Sequence, residues 1–340
     1  MISLNDLKYE QLESEIISIK EPKFRAGQIY KWFSRGVTSF DEMSDLSKAL
    51  RDKLSANFSL SKVEIEKKFV SEVDETTKYL LKLGDDNFIE SVAMKYKHGI
   101  SVCISTQVGC IMGCKFCAST IGGRVRNLTA GEILGQVAIV QKDLGERVSN
   151  VVLMGIGEPL DNYDNIITFL RNINDEKGLN IGYRHISLST CGLVDKIYQL
   201  AEENMQITLS VSLHAPNDEI RNSIMPINKK YPVAKLIKAC KDYLNNTNRR
   251  ISFEYILIDG VNDTMECAEE LARLLKGMLC HVNLIPANFV PESGLKKSSS
   301  NTVSAFRNKL EKLHINATVR RELGSDISAS CGQLRQKGTI

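Results

Sequence analysis

Apolar residues recur along this chain in three rhythms, and each rhythm predicts a different kind of element. Over residues 1–60, Ile29, Trp32, Phe33, Phe40, Met43, Leu46, Leu50 and Leu54 return at three- and four-residue steps, the period of a helix with one buried face. Phe24-Arg25-Ala26 opens this small helical module, and Phe40-Asp41-Glu42-Met43 interrupts it with a turn. From Val63 to Met94 the pattern becomes alternation, as in Val63-Glu64-Ile65-Glu66 and Tyr79-Leu80-Leu81-Lys82-Leu83, broken by Gly84-Asp85-Asp86-Asn87. That reads as hairpin strands. Glu90 ends the strand-like run Asn87-Phe88-Ile89 and, by its place there, reads as an ordinary surface carboxylate.

Beyond Cys103 strand and helix patterns alternate. Strand-like runs at 151–154, 185–189, 207–213, 251–258, 281–285 and 317–321 are interleaved with helical ones at 129–144, 166–173, 194–203, 233–244, 265–275 and 303–313. Five or six such units predict an α/β fold with a parallel barrel, incomplete beside the eight-unit version and wound with right-handed crossovers. The expected organisation is a helical module at 1–60, a β-hairpin extension at 61–95 and the barrel at 96–340. Ligands in such folds bind at the carboxyl ends of strands, which is where Gly157-Glu158, Ser189, Ser212 to His214 and Asn288 fall.

The chemistry concentrates in Cys110-Ile111-Met112-Gly113-Cys114-Lys115-Phe116-Cys117, three thiols spaced by four and then three residues after the strand-like run 101–107. No second close pair of cysteines completes a four-thiolate cage. Three ligands on an iron–sulfur cubane leave one iron open to a cofactor, whereas the rival reading is a structural zinc completed by a distant Cys or His. Gly155-Ile156-Gly157-Glu158-Pro159 lacks the third glycine of a dinucleotide fingerprint and the Lys-Ser/Thr of a phosphate loop. An acidic residue after glycines suits a ligand with an ammonium group instead.

Composition sets wide bounds. At 340 residues and 43% hydrophobic, the chain can bury the core of a barrel-sized domain with an appendage. No apolar run approaches the roughly 20 residues that span a bilayer, and residues 1–20 mix charges with isolated hydrophobes, so no membrane partner and a cytoplasmic location are expected. Nine cysteines then suit a reducing compartment in which thiols serve metals and catalysis. A net charge of +3 neither requires nor excludes nucleic acid, and residues 1–60 hold nine Lys/Arg against nine Asp/Glu. Lys229-Lys230, Arg249-Arg250, Lys296-Lys297 and Arg320-Arg321 each read as a solvated face.

The C-x3-C-x2-C spacing is that of the radical S-adenosylmethionine (radical SAM) superfamily. Together with Phe24-Arg25-Ala26, Met154-Gly155-Ile156-Gly157-Glu158-Pro159-Leu160, Ser212-Leu213-His214-Ala215-Pro216, Met225-Pro226-Ile227-Asn228 and Cys331-Gly332-Gln333-Leu334, it resembles the RNA adenine C2-methyltransferases of the RlmN type. The resemblance implies a partial parallel (β/α)6 radical SAM barrel with an N-terminal helical accessory domain implicated in RNA binding. It implies one [4Fe-4S] cluster on Cys110, Cys114 and Cys117, and two molecules of S-adenosylmethionine per turnover, as methyl donor and as radical source. Gly157, Glu158, Ser189, Ser212, Leu213, His214 and Asn288 are expected to hold that cofactor, His214 by binding and not by proton transfer. Phe116 is expected to shield the cluster.

Adenine C2 lies between two ring nitrogens and has no lone pair with which to attack a methyl donor, so a radical route is needed. The resemblance implies that Cys331 is first methylated by displacement. Hydrogen abstraction from that methyl gives a radical that adds to C2, Glu90 takes the C2 proton, and Cys103 resolves the adduct through a transient disulfide with Cys331. Cys191, Cys240, Cys267 and Cys280 remain as buried small hydrophobes. The implied partners are 23S rRNA, tRNA at the adenosine 3′ to the anticodon, and a low-potential electron donor such as flavodoxin or ferredoxin, with the enzyme a monomer. A C8-methylating enzyme of the Cfr type is the near alternative; Gly157-Glu158-Pro159-Leu160 favours C2, while Gly324-Ser325-Asp326-Ile327 keeps C8 open. A metal-stabilised RNA-binding or electron-transfer protein without catalysis is the alternative from another class, and it leaves Cys331, Glu90 and the Gly157-Glu158 turn unexplained.

Overall fold

The structure, a computed structural model, describes residues 1–335. Its first part is a cluster of three helices, α1 (Tyr9–Ser18), α2 (Phe24–Phe33) and α3 (Lys48–Asn57), with the Phe40 turn wound as one 3₁₀ turn. Two short strands, β1 (Ile2–Ser3) and β2 (Phe58–Ser59), pair in parallel and tie its ends together. The helical spacing pays into a core of its own: Leu12, Ile16, Ile29, Met43 and Leu54 are fully buried, each worth about 2 kcal/mol of transfer free energy.

Next come β3 (Val63–Val70), β4 (Thr76–Leu83), β5 (Phe88–Tyr96) and β6 (Gly99–Cys103), joined by antiparallel pairing. A small sheet of β7 (Gln107–Gly109) and β8 (Arg124–Asn127) brackets the cysteine loop. Then follow α4 (Ala130–Leu144), β9 (Val148–Leu153), α5 (Tyr163–Asn174), β10 (Ile186–Thr190), α6 (Val194–Glu202) and β11 (Thr208–Ser212). The chain ends with α7 (Asp218–Ile224), α8 (Val233–Thr247), β12 (Ile251–Leu257), α9 (Met265–Leu275), β13 (Cys280–Pro286), α10 (Ser300–Lys312), β14 (Ala317–Val319) and a tail.

One sheet of ten strands organises all of this, in the order β14-β13-β12-β11-β10-β9-β6-β5-β4-β3. From β6 to β14 every neighbour pairs in parallel, so six βα units and a closing strand form the partial barrel. The parallel strands follow chain order, the arrangement in which successive right-handed crossovers place every helix on the same face. The parallel strands carry near-continuous apolar runs because helices cover one face and the barrel interior the other. Helix starts are chemically marked: the Thr129 hydroxyl accepts from the Glu132 N–H, and Glu132 reaches back to the Thr129 N–H. Helix α7 was not anticipated, nor were the short strands β1, β2 and β8; at seven residues, capped by Asn217, α7 is too short to show a period. Among the described residues, no helix is long and apolar enough to cross a membrane.

Candidate active site

The cysteine loop leaves β7 at the mouth of the barrel and is held from several sides. The Cys110 N–H donates to the Gly123 carbonyl at 3.0 Å, the Lys115 N–H to Ile224 at 3.0 Å, and the Ala118 N–H to Gly332 at 2.7 Å. Cys110, Cys114 and Cys117 line one cavity, together with Ser189, Ser212, His214, Gly157 and Glu158 from the strand ends and Cys331 from the tail. The barrel thus brings these nine expected residues together. Burial pushes the Cys110 thiol up to about 12 and raises Cys114 and Cys117 as well.

Gly157 and Glu158 sit where β9 ends. Gly157 has φ +106°, and a Cβ there would stand 2.6 Å from the Gln107 Cβ, so only glycine permits this approach. The Glu158 carboxylate accepts the Leu160 N–H at 3.0 Å and the Cys191 N–H at 2.7 Å, with the Thr190 hydroxyl and Cys191 thiol also bonded to it. Burial raises its pKa, while these donors oppose the rise. Cys191 therefore lines the cavity as a donor to Glu158, with its pKa raised by burial, and packs against Ile224 and Met225. Its thiol is more than filler.

His214 ends the β11 segment with φ +57°, an uncommon conformation for a side-chain-bearing residue. Its Nδ1 accepts the Ile256 N–H at 3.0 Å, so the proton of the neutral ring is on Nε2. Burial and Arg221 lower its pKa to about 3, which suits binding and not proton transfer. Phe116 meets the ring edge-on at 4.8 Å. Leu213, in contrast, turns its side chain into the main core and lines no part of the cavity.

Arg221 was missed by sequence reasoning, although it has 0% exposure. Its guanidinium donates to the carbonyls of Leu213, Cys191 and Ser212 and to Asn228 Oδ1, which locks the ends of β10 and β11. The Met225-Pro226-Ile227-Asn228 motif supplies one of its acceptors. Glu254 was missed too. It is buried within β12, accepts from Ser252 Oγ at 2.9 Å and Asn283 Nδ2 at 2.7 Å, and lies 3.9 Å from Arg320. A glutamate inside the apolar run 251–258 was the available signal.

The tail crosses the open side of this cavity. Gly332, at φ +82°, lets the backbone pass the Phe116 carbonyl, which a Cβ would meet at 3.0 Å. The Cys331 carbonyl accepts from Asn288 Nδ2 at 2.8 Å, and Ser119 Oγ donates to Leu334 at 2.8 Å. Asn288 lines a smaller adjoining cavity, which shares Cys331 and Arg320 with the first. Arg320 corrects its reading as a solvated face: its side chain is 24% exposed, lies 3.9 Å from Glu254 and lines both cavities with Cys331. Cys103 is buried with Val92, Met94, Ile156 and Leu334, and its thiol is pushed up to about 12, first by burial and then by Cys331. Both thiols are free.

Glu90 needs correction as well. It lies inside β5, not at a strand end, and at 2% exposure it is no surface carboxylate. β5 is buried on both faces, which hides its alternation. The Glu90 side chain pairs with Lys78 at 3.3 Å and accepts the Arg335 N–H at 2.8 Å. Neither Glu90 nor Cys103 lines the main cavity; Cys103 packs with Leu334, and Glu90 accepts from the adjacent Arg335 N–H.

The donor set fits an iron–sulfur cluster. Among the described residues no three His, Cys, Asp or Glu side chains are gathered closely enough for one ion. A zinc would draw its thiolates to about 2.3 Å from a single centre, whereas each cubane ligand takes a different iron. Buried thiols with raised pKa values are those that a metal would ionise outright.

Known proteins show the same combination. Residues 104–275 match the radical SAM superfamily, and residues 2–60 match the N-terminal domain of ribosomal RNA large subunit methyltransferases. The chain is 58% identical over 337 residues to a protein of Clostridium tetani (strain Massachusetts / E88) named as a probable dual-specificity RNA methyltransferase RlmN, covering 99% of this chain and 97% of that one. A protein of the same name from Thermoanaerobacter sp. (strain X514) is 55% identical over 338 residues, covering 99% and 98%. The crystal structure of a radical SAM methyltransferase from Sphaerobacter thermophilus superposes with a TM-score of 0.95 at 44% identity, over 99% of this chain and all of that one. Likeness of sequence and fold over almost the whole length means that the chain belongs to the RlmN family of radical SAM RNA methyltransferases, enzymes that use a [4Fe-4S] cluster and S-adenosylmethionine.

Proposed function

We propose that this enzyme methylates C2 of one adenosine in 23S rRNA, near the peptidyl transferase centre, and of the adenosine 3′ to the anticodon in tRNA. The observation that carries the reading is the placement of Cys331 on the cavity lined by Cys110, Cys114 and Cys117. A thiol delivered there from the tail suits a carrier of the methyl carbon. When bound, the cluster and S-adenosylmethionine supply an electron, a hydrogen-abstracting radical and the methyl group.

The chain's own residues divide the remaining work. Cys110, Cys114 and Cys117 hold the cluster. Gly157, Glu158, Ser189, Ser212 and His214 bind the methyl donor, Leu213 fixes their strand end through its backbone bonds to Glu254 and Arg221, and Asn288 fixes the Cys331 backbone beside the donor. Cys331 accepts the methyl on sulfur and presents its carbon to the base. Glu90 accepts the C2 proton, and Cys103 attacks the Cys331 sulfur to release the product, leaving a disulfide. The apolar packing around Cys103 keeps water from that sulfur. The base must be unstacked or already exposed to reach the carrier.

Residues 1–60, 61–95 and 96–340 act in this reading as an RNA-contacting module, an extension and the catalytic barrel; 336–340 lie outside the described residues. The electron donor is a flavodoxin- or ferredoxin-like protein, and the enzyme works as a cytoplasmic monomer. The test is anaerobic reaction of the reconstituted enzyme with both RNAs, then mass spectrometry of the digested nucleosides. 2-Methyladenosine from both RNAs is expected. 8-Methyladenosine would overturn the target carbon, and an unmodified tRNA would overturn the dual specificity.

A further inference from the structure

The antiparallel extension contributes nothing to the lining of the main cavity, yet it grips the tail that carries Cys331. At the turn between β3 and β4, Ser71 Oγ and the Glu72 N–H each donate to Asp326 at 2.8 Å, and the Gly324 N–H donates to Asp74 at 3.0 Å. Lys78 carries this line of contacts inward. Its ammonium lies 3.3 Å from Glu90 Oε1, donates to the Ser328 carbonyl at 3.5 Å and sits 5.0 Å from the centre of the Phe69 ring. The two side chains are 6% and 2% exposed. A buried ammonium is costly, and an apolar residue would pack the same strand position without that cost. Packing alone does not account for a lysine here.

We propose that Lys78 is a positioning residue for methyl transfer: it holds the Glu90 carboxylate ionised and aimed, and through Ser328 it couples that carboxylate to the loop delivering Cys331. The proposal rests on Glu90 being the acceptor of the C2 proton. Burial alone drives Glu90 toward its protonated form, in which it can accept nothing, and Lys78 and the Arg335 N–H oppose that drive. Two charged groups act on Glu90. Lys78 comes from β4 at 3.3 Å and Arg335 from the tail, with its guanidinium held by Glu292 at 2.7 Å; the Cys103 thiol lies on the neighbouring strand β6, opposite Val92. In the step itself the C2–H proton passes to a Glu90 oxygen and the bonding pair stays on the purine. Lys78 gives up neither proton nor electron.

The test compares pH profiles of single-turnover RNA methylation by the reconstituted full-length enzyme and its Lys78→Met, Lys78→Arg and Glu90→Gln variants. Loss of the cation lets the Glu90 pKa rise, so the acid limb for K78M is expected about one to two pH units higher, with K78R restoring most of the native profile. An infrared difference spectrum between K78M and the K78M/E90Q double variant near neutral pH should then show a protonated carboxyl band. A native acid limb in K78M, with E90Q inactive, would overturn the role of Lys78. Full methylation by E90Q would instead remove the reading of Glu90 on which the proposal stands. Should K78M fail to fold, Lys78→Gln carries the same two expectations.

Discussion

The two sides of Cys331 are built in different ways. On the cofactor side, the thiols of one eight-residue loop and the ends of five successive strands, β9 to β13, face a cavity, and glycines let backbones close in. On the other side, Lys78 and Glu90 pair in a buried site that also takes the Arg335 N–H from 245 residues along the chain, and Cys103 is packed among apolar side chains that include Leu334. The first side is a socket for ligands that arrive from solution. The second is a buried ion pair and a buried thiol, closed over by the tail. A site of the first kind tolerates local description; one of the second kind exists only when sheet edge and tail are docked.

That contrast can be broken most sharply at the cysteines. Cys114→Ala should remove both iron content and methylation, whereas Cys331→Ala should retain iron and sulfide while activity falls at least about a thousandfold. Iron and sulfide assays beside a methylation assay check both, and metal loss in C331A would merge the two sides. A smaller but qualitative effect is expected for Cys103→Ala, which should accumulate a covalent protein–RNA species on denaturing gels. Free methylated product from this variant would contradict the resolving role.

Arg221→Met tests the socket's frame. It strands carbonyls at the ends of β10 and β11, so a loss of about 3 kcal/mol in denaturant unfolding is expected, with weaker binding of S-adenosylmethionine by calorimetry. The mildest change is Asp326→Asn. Amide exchange should quicken in residues 323–335 and 71–76 and stay native in 110–120, so that the tail loosens while the cysteine loop does not. Equal loosening of both would deny that the extension is the tail's own anchor.

The legible parts of this protein are those in which neighbours in sequence act together. The period of Leu46, Leu50 and Leu54 announces a helix because i and i+4 share a face, and the parallel strands announce themselves as short apolar runs between helical patterns. Cys110, Cys114 and Cys117 were readable because one loop supplies all three. Glu90 misled because its strand is buried on both faces, so its burial left no alternation to read. Arg320 looked like half of an exposed basic pair, and Gly324-Ser325-Asp326-Ile327 was weighed as a clue to the target carbon; in the folded chain Asp326 anchors the tail.

By itself, then, the sequence determined the helical module, the βα succession, the three-thiol loop and the presence of a lone cysteine near the end. Those follow from local periodicity and from donor types at short spacing. Tertiary structure alone decided that Lys78 meets Glu90, that Arg221 ties four backbone carbonyls, and that Arg320 lies beside Glu254. Such contacts depend on strand register and on where a helix or tail docks, and a shift of one residue in register would turn Lys78 or Glu90 to the opposite face of the sheet.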